Sequence, residues 1–175
     1  CNGNDIWVLT HNSSNVFLAY QITNTGISTS PVTSTIGSIH SSGLGHMKTS
    51  PNGKKIALGI YGNSTFELYD FDNATGVVSN SLILGNNFVN PYGVEFSPDG
   101  SKLYACVETG SNLPIFQWDL CAGTGSAIIA TQTIIGTDNS LEHGAMQLAP
   151  DGKIYVARYA TSTLGVISNP NALGT

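Results

Sequence analysis

Three stretches of the chain repeat one phrase centred on a turn. They read GHMKTSPNGKKIAL at 45–58, YGVEFSPDGSKLYA at 92–105 and GAMQLAPDGKIYVA at 144–157, and their prolines lie 47 and 52 residues apart. In each phrase proline presets φ for the second turn position, Asp or Asn bonds to the nearby backbone, and glycine accepts a positive φ. Such a turn between two alternating apolar runs predicts a β-hairpin corner that the fold uses three times.

Further strand-like segments follow each hairpin at matching places. A third strand is predicted in each unit, at 66–72, 114–120 and 163–168, and a fourth in two units, at 77–84 and 126–135. The section before the first repeat fits the second, third and fourth strands of one more unit, at 5–11, 16–22 and 28–37. No amphipathic helix is expected to interrupt these strands.

The period of the repeat predicts the architecture. Antiparallel four-stranded units at this spacing are typical of β-propeller blades, whereas the alternative, a β-sandwich, does not repeat its turn chemistry at a near-constant interval. The predicted fold class is therefore all-β, a β-propeller of four-stranded antiparallel blades with about three and a half blades present. The predicted blades are 1–40 without its first strand, 41–88, 89–138 and an incomplete 139–175. Since propellers close with about four to eight blades, we expect a segment of a larger propeller.

The composition limits the partners. Only 10% of the residues are charged and the formal net charge is −5, with no cluster of Lys or Arg. Such a chain cannot neutralise several phosphates, so nucleic acid is not an expected partner. No apolar run reaches the about 20 residues of a membrane-spanning helix, and no transmembrane segment is predicted. The neutral polar surface of Ser, Thr, Asn and Gly favours a secreted or surface protein over an intracellular one.

The cysteines leave two interpretations open. Cys106 and Cys121 fall within one repeat and would pair if the compartment were oxidising. Otherwise Cys106 is a buried thiol and Cys121 a thiol at the edge of a turn. An odd number of cysteines without a short Cys-x-x-Cys spacing does not indicate a zinc site, and no metal or other cofactor is predicted.

The repeats also resemble known propeller families. SPDGSKLYACVE, with YDFD and QWDL at the strand ends, resembles the YVTN and WD-like repeats of bacterial β-propellers. NDIWVLTHNSSNVFLAYQIT, followed by HMKTSPNGKKIALGIYGNSTFELYDFDNATGVVSN, is similar to the N-terminal propeller of large bacterial surface proteins exported by the type IX secretion system. Many of those proteins carry a type B sorting domain and are associated with gliding motility. The resemblance implies a secreted or cell-surface location on the outer face of a bacterium.

Polar residues on the innermost strands form the candidate binding site. Three of them stand at one repeat position, three residues before the aligned prolines, and three more stand near the strand starts: Lys48, Glu95 and Gln147, with His46, Tyr92 and His143. Together they could form a polar binding mouth at the end of the channel. The alternative is that Lys48, Glu95 and Gln147 only satisfy one another and water. His11 and His40 are expected to be exposed loop residues.

These features lead to a functional prediction without catalysis. The leading prediction is a secreted or cell-surface module, not an enzyme, that binds protein or glycan within a large type IX-exported adhesin-like or motility-associated protein. Its other expected partners are the remaining blades of the same polypeptide. The first alternative is a lactonase-like propeller hydrolase, with Glu95 as acid and His46 or His143 as base. The second is an intracellular scaffold of the WD-repeat type.

Overall fold

A computed structural model of the chain describes residues 6–110, 112–138 and 142–174. Its strands form four antiparallel sheets, each built from consecutive segments of the chain. Sheet 1 holds β1 (Ile6–His11), β2 (Val16–Thr23), β3 (Gly26–Ile27) and β4 (Val32–Thr35); sheet 2 holds β5 (Met47–Thr49), β6 (Lys55–Ile60), β7 (Thr65–Asp72) and β8 (Val77–Asn86). Sheet 3 holds β9 (Pro91–Phe96), β10 (Lys102–Val107), β11 (Leu113–Asp119) and β12 (Thr133–Asp138); sheet 4 holds β13 (His143–Leu148), β14 (Ile154–Arg158) and β15 (Gly165–Ile167). The all-β prediction is confirmed.

The repeated turns adopt the conformation that their residues predict. Gly53, Gly100 and Gly152 all have positive φ, at 65°, 70° and 78°. In the second turn the Ser97 N–H donates to the Lys102 carbonyl at 3.0 Å, and the Asp99 carboxylate accepts the Ser101 N–H at 2.9 Å. Each turn joins the first strand of a sheet to the second, so the same corner recurs at the same end of sheets 2, 3 and 4.

One predicted strand is wrong over most of its length. The segment 126–135 contains α1 (Gly125–Ala130), and the outer strand of sheet 3 begins only at Thr133. Thr124 caps this helix, since its Oγ1 accepts the Ala127 N–H at 3.2 Å, and Ile128 packs into the core. A short apolar run such as SAIIA suits either a strand or a buried helix turn, and the cap decides between them here.

The hydrophobic core lies between consecutive sheets. One cluster, with Phe17 and Ile56, joins sheets 1 and 2. A second, with Phe66 and Trp118, joins sheets 2 and 3, and a third, with Met146, joins sheets 3 and 4. Each sheet therefore buries its face against the next one, and the short inner strands β5, β9 and β13 lie side by side along one edge. Within the described part of the chain no helix is long and apolar enough to cross a membrane.

Candidate functional site

The three equivalent polar residues of the inner strands lie together. Lys48 Nζ is 3.1 Å from Glu95 Oε2 and donates to Gln147 Oε1 at 2.7 Å. Glu95 is 4% exposed, and its two carboxylate oxygens also accept the backbone N–H groups of Phe96 and Leu148, each at 2.9 Å. Through these contacts the Glu95 side chain links three sheets. Its position does not suit the general-acid role that the lactonase alternative gave it.

Removing the ammonium group of Lys48 should show how much this cluster contributes to stability. We expect Lys48→Met to lower the free energy of unfolding by about 2 kcal/mol, less than the about 3–5 kcal/mol typical of a fully buried pair, because the Lys48 side chain is 22% exposed. Urea denaturation measures the change. Lys54→Met, at an exposed position of the first hairpin turn, is the matched control and should stay within about 0.5 kcal/mol. Equal losses in both variants would mean that the two N–H donors alone hold the carboxylate.

His143 lies away from solvent. Its side chain is fully buried at the start of β13, where its backbone N–H donates to the Glu108 carbonyl at 2.9 Å. A catalytic base must reach its substrate, so this burial corrects the prediction of His143 as a base at the channel mouth.

Cys106 and Cys121 do not form a disulfide with each other. Cys106 is buried in the middle of β10, and its thiol donates to the Gly144 carbonyl of sheet 4 at 3.4 Å. Cys121 is exposed in the turn that follows β11. The pairing that the sequence left open is therefore absent, because one thiol faces the neighbouring sheet and the other faces solvent.

His46 lies at the start of the inner strand of sheet 2, with its ring against that of Tyr92. The ring centroids are 4.9 Å apart, and the backbone N–H of His46 donates to the Tyr92 carbonyl at 3.0 Å. The residue before it, Gly45, has φ +113°, and a Cβ there would lie 2.0 Å from the Gly59 carbonyl oxygen. Only glycine allows this close approach of the connecting segment to β6, and the approach fixes where His46 enters the site.

Three histidines line one cavity of about 260 Å³ at this place. His11 ends β1, His40 lies in the connection between sheets 1 and 2, and His46 follows that connection. The other lining residues are Asn12, Ser13, Ser42, Gly43, Leu44, Gly45, Met47, Leu58 and Gly59. We call this space the histidine cavity. It brings together residues from two sheets and from the connection between them.

His11 and His40 stack on each other. Their ring centroids are 3.8 Å apart with 19° between the ring planes, and the His11 ring also meets the edge of Phe17 at 4.4 Å. The Nε2 atoms of both histidines are buried without a hydrogen-bond partner among the described residues. The prediction that these are exposed loop residues is wrong, because the connection folds back over the end of β1.

A buried carboxylate lies behind this stack. Glu67 on β7 is fully buried, and it accepts hydrogen bonds from the Tyr69 hydroxyl, from the Ser38 hydroxyl and from the Ser38 N–H at 3.3 Å. Ser38 belongs to the connection between the sheets, so the carboxylate fastens that connection to sheet 2. Its charge also acts on both stacked histidines.

The environment keeps all three histidines neutral. Burial lowers the pKa of His11, while a backbone hydrogen bond at Asn12 and the charge of Glu67 oppose the shift. Burial and the neighbouring His11 lower the pKa of His40 to about 4. Burial, and then the charge of Lys48, lower the pKa of His46. Neutral imidazoles can accept a proton, so the cavity carries bases rather than cations at neutral pH.

Stability should therefore fall as the pH drops from about 6.5 to about 4. The unfolded chain protonates His40 near pH 6.5, whereas the folded chain resists protonation down to about 4. The unfolded state then binds more protons in this window, which favours unfolding. Melting temperatures of the native protein and of His40→Gln between pH 8 and 4.5 measure the effect, and the variant should show the flatter curve. Parallel curves would contradict it.

The Asp70 carboxylate acts below this window and does not interfere with the test. Burial alone would raise the pKa of Asp70, but hydrogen bonds from Lys55 and Asn80 lower it from 3.8. Its contribution to stability is therefore present above pH 3.8 and is lost only at more acidic pH.

The residue directly after the second strand stands at one repeat position in sheets 2, 3 and 4, which the inner-strand pattern does not include. These residues are Tyr61, Glu108 and Tyr159. Burial raises the pKa of Tyr61, and so do a hydrogen bond to Glu108 and the charges of Glu108 and Glu142. Extending the repeat beyond its second strand by one residue would have found this position in the sequence.

No metal centre is apparent in 6–110, 112–138 and 142–174, since no group of three His, Cys, Asp or Glu side chains there is placed to hold an ion.

Comparisons with known proteins identify the fold. No family model and no curated protein matches the chain. A candidate 6-phosphogluconolactonase from Bacteroides uniformis matches with a TM-score of 0.64 at 19% identity, over 91% of this chain and 46% of that one. The periplasmic gluconolactonase of Pseudomonas aeruginosa matches with a TM-score of 0.59 at 13% identity, over 93% and 49%. A candidate TolB protein from Agrobacterium tumefaciens gives 0.54 at 19% identity, over 91% and 52%.

The fold is that of a β-propeller. The fold class predicted from the sequence is confirmed as a partial propeller, and the chain spans about half the length of the propellers that it matches. None of these matches supports the type IX export context that the sequence resemblance implies.

The matches also correct the functional prediction. The non-catalytic binding module was the leading interpretation, but two of the three neighbours are named as lactonases, which favours the lactonase-like alternative. At 13% and 19% identity the likeness establishes the fold alone, and the activity has to be argued from the site.

Proposed function

We propose that this part of the propeller carries a site for lactone hydrolysis in the histidine cavity, with His46 as the general base. The observation that carries the proposal is a partly exposed imidazole, held neutral by its surroundings, on the wall of a cavity of about 260 Å³. The two lactonase-named neighbours support it as examples of such chemistry on this fold.

The reaction requires two proton transfers, one to His46 and one from it. His46 takes a proton from water as the water oxygen attacks the lactone carbonyl carbon, which forms a tetrahedral oxyanion. The intermediate then breaks its bond to the ring oxygen, and His46 returns the proton to that oxygen. The products are a hydroxyl group and a carboxylic acid, which ionises. Because the attacking and leaving oxygens are bound to the same carbon, one imidazole can serve both.

The surroundings of His46 fit this role. Its ring is positioned by Tyr92 and by the tight approach of Gly45 to β6. The charge of Lys48 favours the neutral imidazole, and the contact with Glu95 holds the ammonium group in place. A base with a pKa below 6.5 is unprotonated at neutral pH, and its protonated form is acidic enough to protonate the departing oxygen.

A lactone panel tests the proposal. Hydrolysis of five- and six-membered lactones releases acid, which a pH-stat records at pH 7 against the uncatalysed rate in the same buffer. We expect saturable acceleration for at least one ring size, and heat-denatured protein should give only the background rate. Background rates for every lactone in the panel would reject the function.

We further propose that the outer faces of sheets 1 and 4 pack against other blades. Ile6 and Val8 of sheet 1 are 64% and 42% exposed, and Leu164 and Val166 on the sheet 4 side are 56% and 48% exposed. Such apolar faces are covered in a closed propeller. The intact mass of the native polypeptide tests this proposal, since additional blades require a longer chain.

We also propose a location outside the cytoplasm. The low charge of the chain and its resemblance to exported propellers support it, as does the periplasmic lactonase among the structural neighbours. Fractionation of the native cells is the direct test, and recovery of the protein only with cytoplasmic markers would reject it.

A further inference from the structure

We infer that the histidine cavity takes an uncharged lactone and rejects a lactone that carries a phosphate group. The inference rests on the proposed function for its reaction, but its physical content is the charge of the ligand. It separates this site from the activity that the name of the Bacteroides uniformis neighbour implies, since that name specifies a phosphorylated lactone.

The lining of the cavity offers no cation to a phosphate. A phosphate monoester carries a charge of about −1.5 to −2 and is typically bound by Arg or Lys, which donate charge-assisted hydrogen bonds. Among the described residues that line the cavity there is neither Lys nor Arg, and the only titratable side chains there are His11, His40 and His46. All three have a lowered pKa and are neutral at pH 7.

Lys48, whose charge acts on His46, already has its own partners. Lys48 directs its ammonium group to Glu95 at 3.1 Å and to Gln147 at 2.7 Å. It lines a separate cavity together with Trp7 and Leu9. A phosphate that recruited Lys48 would leave the carboxylate of Glu95 buried without its cation, which is costly.

The other charges around the cavity are mainly negative. Glu67 lies behind the stacked histidines, and its charge acts on both of them. Glu108 and Glu142 act on Tyr61, whose backbone nitrogen lies against Gly45 of the cavity wall. Arg158 belongs to sheet 4, where it donates to Thr163 Oγ1 at 3.3 Å, and it does not line the cavity. A dianionic ligand would meet repulsion at this site.

The lining instead suits a neutral polyol ring. Asn12, Ser13 and Ser42 offer hydrogen-bond donors and acceptors, while Met47 and Leu58 offer an apolar floor. Hydroxyl groups of a sugar lactone can exchange hydrogen bonds with such side chains without any formal charge.

A pair of substrates tests the inference. We compare kcat/KM for D-glucono-1,5-lactone and for its 6-phosphate ester with the full chain at pH 7, each corrected for spontaneous hydrolysis. The uncharged lactone should be preferred by at least about tenfold, as expected from one or two unfavourable charge interactions. Equal values, or a preference for the phosphate ester, would overturn the inference while leaving lactone hydrolysis established.

A binding experiment separates this inference from the proposed function. If neither lactone is hydrolysed, the function fails, and imidazole NMR signals then report binding of the hydrolysis-resistant D-gluconolactam and of glucose 6-phosphate. Shifts of the His46 signals with the lactam alone would support an uncharged ligand. Shifts with the phosphate, or no shift with either compound, would reject it.

A gain-of-charge variant adds a positive test. Leu44 lines the cavity and is 52% exposed, so Leu44→Arg can place a guanidinium at its mouth without disturbing the core. We expect the ratio of kcat/KM for the phosphate ester to that for the uncharged lactone to rise about tenfold. The control is Ile134→Arg, at a position 56% exposed on the outer strand of sheet 3. An unchanged ratio in Leu44→Arg, or an equal rise in the control, would show that the cavity does not set the preference.

Discussion

Replacing His46 with glutamine should lower kcat for lactone hydrolysis by about 10²- to 10⁴-fold, with KM changed only slightly. Glutamine keeps a polar side chain of similar length against Tyr92 but cannot take the proton from water. The native protein should also show kcat/KM rising with pH to a plateau, with a midpoint below 6.5, because burial and Lys48 lower the pKa of His46. The variant should lose this pH dependence.

The matched control for this variant is His40→Gln. His40 lines the same cavity, but its Nε2 atom is buried and its ring stacks on His11. We expect it to lower stability at acidic pH more than it lowers kcat. A large loss of kcat in His40→Gln with a nearly unchanged rate in His46→Gln would transfer the role of base from His46 to His40.

Much of the fold could be predicted from the sequence because its determinants are local. The corner around Pro98 needs only four residues of defined turn chemistry, and the strands around it alternate over short distances. The helix at Gly125–Ala130 was predicted as a strand because short apolar runs were interpreted as strands throughout the chain. Its apolar run has no periodicity long enough to separate a helix from a strand, and its burial against β8 and β11 is a tertiary contact.

The candidate site was predictable only in part. The repeat spacing brought Lys48, Glu95 and Gln147 into one cluster, but it could not show that their charges and hydrogen bonds satisfy one another. His11 and His40 lie in places where the repeat carries no pattern, at a strand end and in a connection. Their stacking depends on how the connection folds back over sheet 1, and that conformation cannot be predicted from a single sequence.

The junction between sheets 2 and 3 should depend strongly on Trp118. This side chain is fully buried on β11, and its ring lies 6.0 Å from Phe66, 6.1 Å from Phe88 and 6.0 Å from Phe116, measured between centroids. We expect Trp118→Ala to lower the free energy of unfolding by about 3–5 kcal/mol, since it removes a large core side chain and leaves a cavity between two sheets. Urea denaturation followed by circular dichroism measures the loss.

Two further variants serve as controls for the Trp118→Ala measurement. Trp118→Phe should cost much less than the alanine variant, because it keeps an aromatic ring and removes an indole N–H that has no acceptor among the described residues. Ile134→Ala, at an exposed position of the same sheet, should change stability by no more than about 0.5 kcal/mol. If Trp118→Ala cost as little as Ile134→Ala, packing between these sheets would not hold the propeller segment together. The histidine cavity, which also lies between two sheets, would then need another source of rigidity.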